Sequence, residues 1–226
     1  MKLLKILKPL LILPMFLLTM AQCGLEYLPY LTPPMSLGPS GTTFSVRKTA
    51  ANDTESALEW EYLGIELYYK FYLQGADTDY NLTELSELTT KKFHRISSYP
   101  GDKIDKPLQK PLIDGTAMAG DVDFVIDMEN MEITEISTPV VVVSDIRRGV
   151  PYGSLELGYP SFQQFLVDDF DAADDDVGTS IYNITTIPSS KITMAMYALS
   201  YGKKDYVVDL YSDAVYLGEI DVNFGW

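Results

Sequence analysis

Lys191-Ile-Thr-Met-Ala-Met-Tyr-Ala-Leu-Ser-Tyr201 alternates along its length. Ile192, Met194, Met196 and Ala198 fall on one side of an extended chain, and Thr193, Ala195, Tyr197 and Leu199 fall on the other. A strand separates such sets, because its side chains alternate with period two; a helix would scatter them. Downstream, Gly202-Lys-Lys-Asp205 reads as a turn, Tyr206–Tyr211 as a continuing strand and Ala214–Val222 as another. Upstream the pattern recurs. Thr42–Arg47 is β-branched and alternating. Gly64-Ile-Glu-Leu-Tyr-Tyr-Lys-Phe-Tyr-Leu73 is dense in aromatics and alternates imperfectly, as a central strand facing two layers should. Asp121–Met128 sets Val122, Phe124 and Ile126 against Asp121, Asp123, Val125 and Asp127, and Glu132–Val143 is split by Pro139.

Helical signals are fewer. Asn81–Lys92 places Leu82, Leu85 and Leu88 on one face, with Glu84 and Glu87 early, Lys91 and Lys92 late, and Asn81 or Thr83 as the cap. Ser161–Phe170 offers a second short helix through Phe162, Phe165, Leu166 and Phe170. Many short strands with one or two short helices in insertions predict a mainly β protein, an antiparallel β-sandwich.

Composition narrows the function. The chain has 226 residues, 32 acids against 17 bases, a formal charge of −15, one cysteine and one histidine. One cysteine makes no internal disulfide and no iron–sulfur cluster, and one histidine supplies no HExxH zinc pair. The acidity argues against nucleic acid as a partner, since phosphates need a basic surface. No cofactor is expected, because the glycine-rich phosphate loops are missing from the sequence.

The start of the chain predicts its location. Met1–Gln22 carries Lys2, Lys5 and Lys8, no acid, and the apolar run Pro9–Leu18. A basic head followed by about ten apolar residues is a secretory signal, too short to span a bilayer. Leu18-Thr-Met-Ala-Gln-Cys23-Gly24 follows and resembles the lipobox of bacterial lipoproteins, in the relaxed form found in spirochaetes. That resemblance implies that Cys23 is acylated, with palmitate-type chains, and becomes the mature N-terminus. Removal of residues 1–22 takes three lysines and no acid, moving the charge from −15 to −18. Residues 23–41 hold four prolines and three glycines and read as an extended, lipid-anchored tether. Residues 42–226 then form the sandwich, with an insertion around 75–150. The order of the late strands, with Leu63–Tyr72 as an aromatic C strand, also resembles immunoglobulin and fibronectin-III domains.

Several groups invite a chemical reading. Asp168–Asp176 has six aspartates in nine residues. Calcium takes six to eight oxygens, yet Ala173 and Asp174 occupy the fifth and sixth places of an EF-hand loop begun at Asp169, and the closing glutamate is missing. A solvated, self-repelling loop is the simpler reading. His94 is the one imidazole any Ser–His–Asp triad would need, but the sequence has no Gly-x-Ser-x-Gly elbow, which leaves a surface or strand-edge histidine. Glu59 and Glu61 flank Trp60 in a way that suits a glycan hydrolase working with two carboxylates; an inward Trp60 between two solvated glutamates competes with it. Sixteen tyrosines exceed the usual frequency of about 3% and serve either core packing or a partner-binding stripe. The expectation is a membrane-anchored cell-envelope protein acting as a binding or structural module rather than an enzyme, with an envelope or host protein or glycan as partner. A lipid-anchored glycan hydrolase and a calcium-dependent adhesin are the alternatives.

Overall fold

Period-two alternation of apolar side chains sets the order of elements. The computed structural model describes residues 30–53, 60–73, 79–98, 111–116, 118–148, 175–178, 192–205 and 207–222. Along them run β1 (Met35–Ser40), β2 (Thr43–Lys48), a 3-10 turn (Ala50–Asp53), β3 (Trp60–Leu73), α1 (Leu85–Thr90), β4 (His94–Arg95), β5 (Ser97–Ser98) and β6 (Ile113–Asp114). Then follow β7 (Val122–Asp127), β8 (Glu132–Glu135), β9 (Val140–Ser144), β10 (Ile146–Arg147), β11 (Val177–Gly178), β12 (Ile192–Lys204), β13 (Val208–Tyr211) and β14 (Val215–Val222).

Two sheets and a short ribbon result. The five-stranded sheet runs β1-β2-β7-β8-β9, antiparallel throughout. The seven-stranded sheet is built on β3 and β12, which pair antiparallel from Ile192↔Leu73 to Lys204↔Trp60. The far edge of β12 takes β14 along its first half and β13 along its second. The far edge of β3 takes β11, β4 and β6 in turn, β11 being parallel. The ribbon is β5 with β10.

The sheets face each other across one core. Phe44 and Val46 of β2, Phe124 and Ile126 of β7 and Ile133 of β8 pack with Ile65, Leu67, Tyr69 and Phe71 of β3 and Met194, Met196 and Ala198 of β12. The protein is therefore mainly β, an antiparallel sandwich. Gly218 of β14 (φ +115°) shows how closely the layers approach, since a Cβ there would lie 2.7 Å from the ring of Pro39 in β1. The other face of the seven-stranded sheet is also covered. Tyr68, Tyr72, Tyr197 and Leu199 pack against Leu82, Leu85, Leu88 and Phe93, from α1 and its flanks. This second layer explains the aromatic density of β3, whose residues are buried on both faces.

Four features depart from the sequence reading. Residues 75–150 are not an insertion into a finished sandwich, because β7, β8 and β9 make most of one sheet. Part of the expected tether is structured: Met35–Ser40 pairs with β2. The helix is shorter than Asn81–Lys92 and is capped by Glu84, whose capping box with Glu87 satisfies the first-turn amides. Asn81 to Thr83 precede the helix, with Ala214 donating to the Thr83 carbonyl at 2.7 Å. Finally, β12 continues through Gly202 to Lys204, so the turn comes after Lys204. Gly202 marks a close approach instead, since a Cβ there would meet the Glu61 carbonyl oxygen at 2.4 Å. The expected helix at Ser161–Phe170 lies outside the described residues.

Candidate functional site

Cys23, residues 168–174 of the acidic run and Glu59 lie outside the described residues. Trp60 points inward, 5% exposed, against Leu31 and Tyr62, while Glu61 is exposed. An aromatic face so packed is not offered to a sugar. His94 is buried in β4, with its ring edge-on to Tyr69 at 6.3 Å, and is no surface residue. It pairs with the middle of β3.

The acidic run ends differently from a solvated loop. Asp175 is exposed and pairs with Lys92 at 2.7 Å, but Asp176 is only 2% exposed. Its carboxylate accepts hydrogen bonds from both Nε and an Nη of Arg148, the Nε bond at 3.0 Å, and from the Tyr69 hydroxyl at 2.6 Å. Its carbonyl accepts from the Phe71 amide at 2.8 Å, and the Arg148 guanidinium lies 5.8 Å from the Phe71 ring centre. Burial, then the Asp176 charge, pushes the Tyr69 phenol well above its ordinary range. A buried charge is tolerable only when paired and hydrogen-bonded, and the forked guanidinium with one phenol meets that condition.

A second buried pair sits on the opposite face of β3. Glu66, 1% exposed, lies 3.1 Å from Arg95 and accepts from the Tyr68 hydroxyl at 2.7 Å. Burial raises its carboxyl above the ordinary range, although Arg95 and Tyr68 pull it back. Nearby, Tyr201 donates to Asp209 at 2.7 Å and its ring lies 5.2 Å from that of Tyr211. A third group centres on Asp79. Burial works to raise its carboxyl, but Lys91, Tyr72 and Lys70 together outweigh burial and hold it below the usual range. Tyr72 donates to Asp79 at 3.0 Å, and Tyr197 donates to the Asp79 carbonyl at 2.7 Å.

Together these groups show what the tyrosines do. Tyr68, Tyr69, Tyr72, Tyr201 and Tyr216 each bury a ring wholly or in part and donate the hydroxyl to a carboxylate. In these five an acid terminates the phenol of a strand in the doubly covered sheet. Packing accounts for these five, while Tyr30 and Tyr80 stand exposed. Such arrangements hold charge and backbone in place. The Asp176 cluster is invisible in the sequence because its members are far apart, Arg148 and Asp176 being separated by 28 positions and Tyr69 and Asp176 by 107.

Among the described residues, no group of three His, Cys, Asp or Glu side chains converges as metal ligands. None of their helices is long and apolar enough to cross a membrane. No protein-family model matches the chain, and no curated protein or solved structure proves similar to it.

Proposed function

We propose that this chain is a lipid-anchored protein of a bacterial cell envelope whose β-sandwich is a binding or structural module. The observation that carries the reading is Leu18–Cys23, a lipobox-like stretch with the chain's only cysteine, behind a basic and apolar leader. Two or three acyl chains anchor a protein stably where one does so marginally, at about 0.8 kcal/mol per buried CH₂. The non-catalytic part of the reading is supported by the interior charges. Asp176 is matched by Arg148 and Tyr69, and Glu66 by Arg95 and Tyr68. These partners account as framework for the two buried carboxylates among the described residues. The ligand is an envelope or host protein or a glycan.

Intact-mass spectrometry of the membrane fraction tests the reading, with wild type beside Cys23→Ala. A mature chain that begins at Cys23 and is heavier by two or three acyl chains is the expected result. An unmodified chain cut elsewhere, or found in the soluble fraction, overturns it.

A further inference from the structure

We propose that β9 is the docking edge of the module and takes an extended, basic segment of another protein as a further strand, an inference that rests on the binding-module reading above and deepens it. The two edges of the five-stranded sheet differ. β1 carries Gly38 and Pro39, and the Pro39 ring lies against Gly218 of β14. The chain entering β1 is tied down at Thr32, which exchanges hydrogen bonds with the Asn52 side chain. Proline and close cover are two ways in which proteins blunt an edge. β9, Val140-Val-Val-Val-Ser144, holds neither proline nor charge, and no strand lies beyond it in the sheet among the described residues. Val140 is 52% exposed and Val141 47%, with Ile136, in the turn before them, at 49%. An edge strand turns alternate amides and carbonyls away from its sheet, and a β-branched one is a template for another strand. The five residues of β9 offer about 17 Å of it.

Register decides what the added strand must carry. Ile133 pairs with Val143 and Thr134 with Val141, so Val142 is the extra residue of a bulge. Val141 and Ser144 therefore share the open face, away from Phe124, Ile126 and Ile133 in the core. Two rows cross that face and end at β9. One runs Ser45, Val125, Thr134, Val141, and the other Thr43, Asp127, Glu132, Ser144. A β-branched residue beside Val141 extends the first row. A lysine or arginine beside Ser144 extends the second, because serine is short enough to let the cation lean over it toward Glu132. Charge favours such a segment over a second copy of this chain. Between Asp121 and Ile146 the sequence has seven acids and no lysine or arginine. Arg47 pairs with Asp123 and Arg147 with Asp145, which leaves Glu132 and Glu135 without a cation among the described residues. A second copy would bring the same acids to the same seam, where like charges destabilise the pairing.

The test uses the full chain in uncharged dodecyl maltoside micelles. The probe is the synthetic peptide Thr-Lys-Val-Thr-Val-Lys-Val-Thr with a fluorophore, beside a copy with glutamate in place of both lysines. Anisotropy should give the basic peptide a Kd at least about tenfold lower than the acidic one. Hydrogen exchange read by mass spectrometry should slow at least about tenfold across Val140–Ser144 when the basic peptide saturates. Val141→Lys should weaken the basic peptide, and Glu132→Lys should reverse the preference, each with a urea midpoint near that of wild type. The two peptides on wild type decide the matter even where a variant fails to fold. Equal binding of both peptides, or binding without slower exchange at β9, overturns the inference. Exchange at β9 that slows with protein concentration alone puts a second copy there and also overturns it. Acylated protein that takes neither peptide overturns the docking and leaves the anchor standing. Protein without an acyl chain that takes the basic peptide at β9 upholds the docking and overturns the anchor.

Discussion

The two sheets solve the same problem under different constraints. The five-stranded sheet covers one face: β2 and β7 alternate buried and half-buried residues along their length. The seven-stranded sheet is covered on both, so its two long strands are buried nearly continuously. One-sided cover lets polar residues occupy every second position. Two-sided cover removes that outlet, and the chain answers with tyrosine, whose ring fills a layer while its hydroxyl finds an acid. Charge divides less cleanly, since Lys48 of β2 is 1% exposed and pairs with Asp53. Arg47 and Asp123 pair on the open face of the five-stranded sheet, whereas Asp176 and Glu66 are closed in beside β3.

The largest break in this contrast is expected at Asp176. Replacing it with alanine breaks the buried, forked pair with Arg148 and removes the acceptor of the Tyr69 hydroxyl, at a cost of about 3–5 kcal/mol. Urea denaturation measures this, and the double change Arg148→Met with Asp176→Leu should recover most of the loss. Next, truncations sample the faces in turn. Met196→Ala and Leu199→Ala, on opposite faces of β12, should each cost about 2–5 kcal/mol. In β7 only the inward position should behave so: Ile126→Ala falls in that range, while Val125→Thr changes stability by about 0.5 kcal/mol or less. Equal costs at 125 and 126 would show that the five-stranded sheet is covered on both faces in the assembled protein. Smaller still, Tyr197→Phe removes one hydroxyl that donates to the Asp79 carbonyl and accepts from the Leu82 amide, for about 1 kcal/mol.

The smallest effect is one of pH. Asp79 has its carboxyl held low in the folded protein, so its contribution to stability is present above the unfolded value near pH 4 and is lost as pH falls through the folded value. The difference in denaturation midpoint between wild type and Asp79→Asn should therefore shrink on acidification from about pH 5 to pH 2. Glu66, pushed the other way by burial, works with opposite sign: its contribution is present at low pH and fades as pH rises.

The strands were legible where one rule governs. Alternation marks β2, β7, β12 and β14 to within a few residues, and the aromatics of β3 imply two layers. The errors arose where a residue type has two uses. Gly202 looked like a turn and is a site of close approach, so β12 outran its expected end. Asn81 and Thr83 look like caps, but the Thr83 carbonyl accepts from the Ala214 amide while its own amide and hydroxyl donate to Glu87, and Glu84 caps a helix of six residues. Asp176 looked like one more solvated acid, and nothing local distinguishes it from Asp175. Only the fold brings it to Arg148 and Tyr69. Placement of Cys23 rests on its neighbours in sequence alone.

Asn52 carries a practical consequence. Its amide is fully engaged, accepting from the Thr32 amide and donating to the Thr32 carbonyl and the Ser200 hydroxyl, and the residue is 1% exposed. Yet Asn52-Asp-Thr54 is an acceptor sequence for N-linked glycosylation, as is Asn81-Leu-Thr83, where the asparagine is exposed. A secretory host that glycosylates would attach sugar to the nascent chain at both. At Asn81 the folded protein has room for it; at Asn52 the sugar would occupy the clasp that holds Thr32 to β12, and the chain could not close.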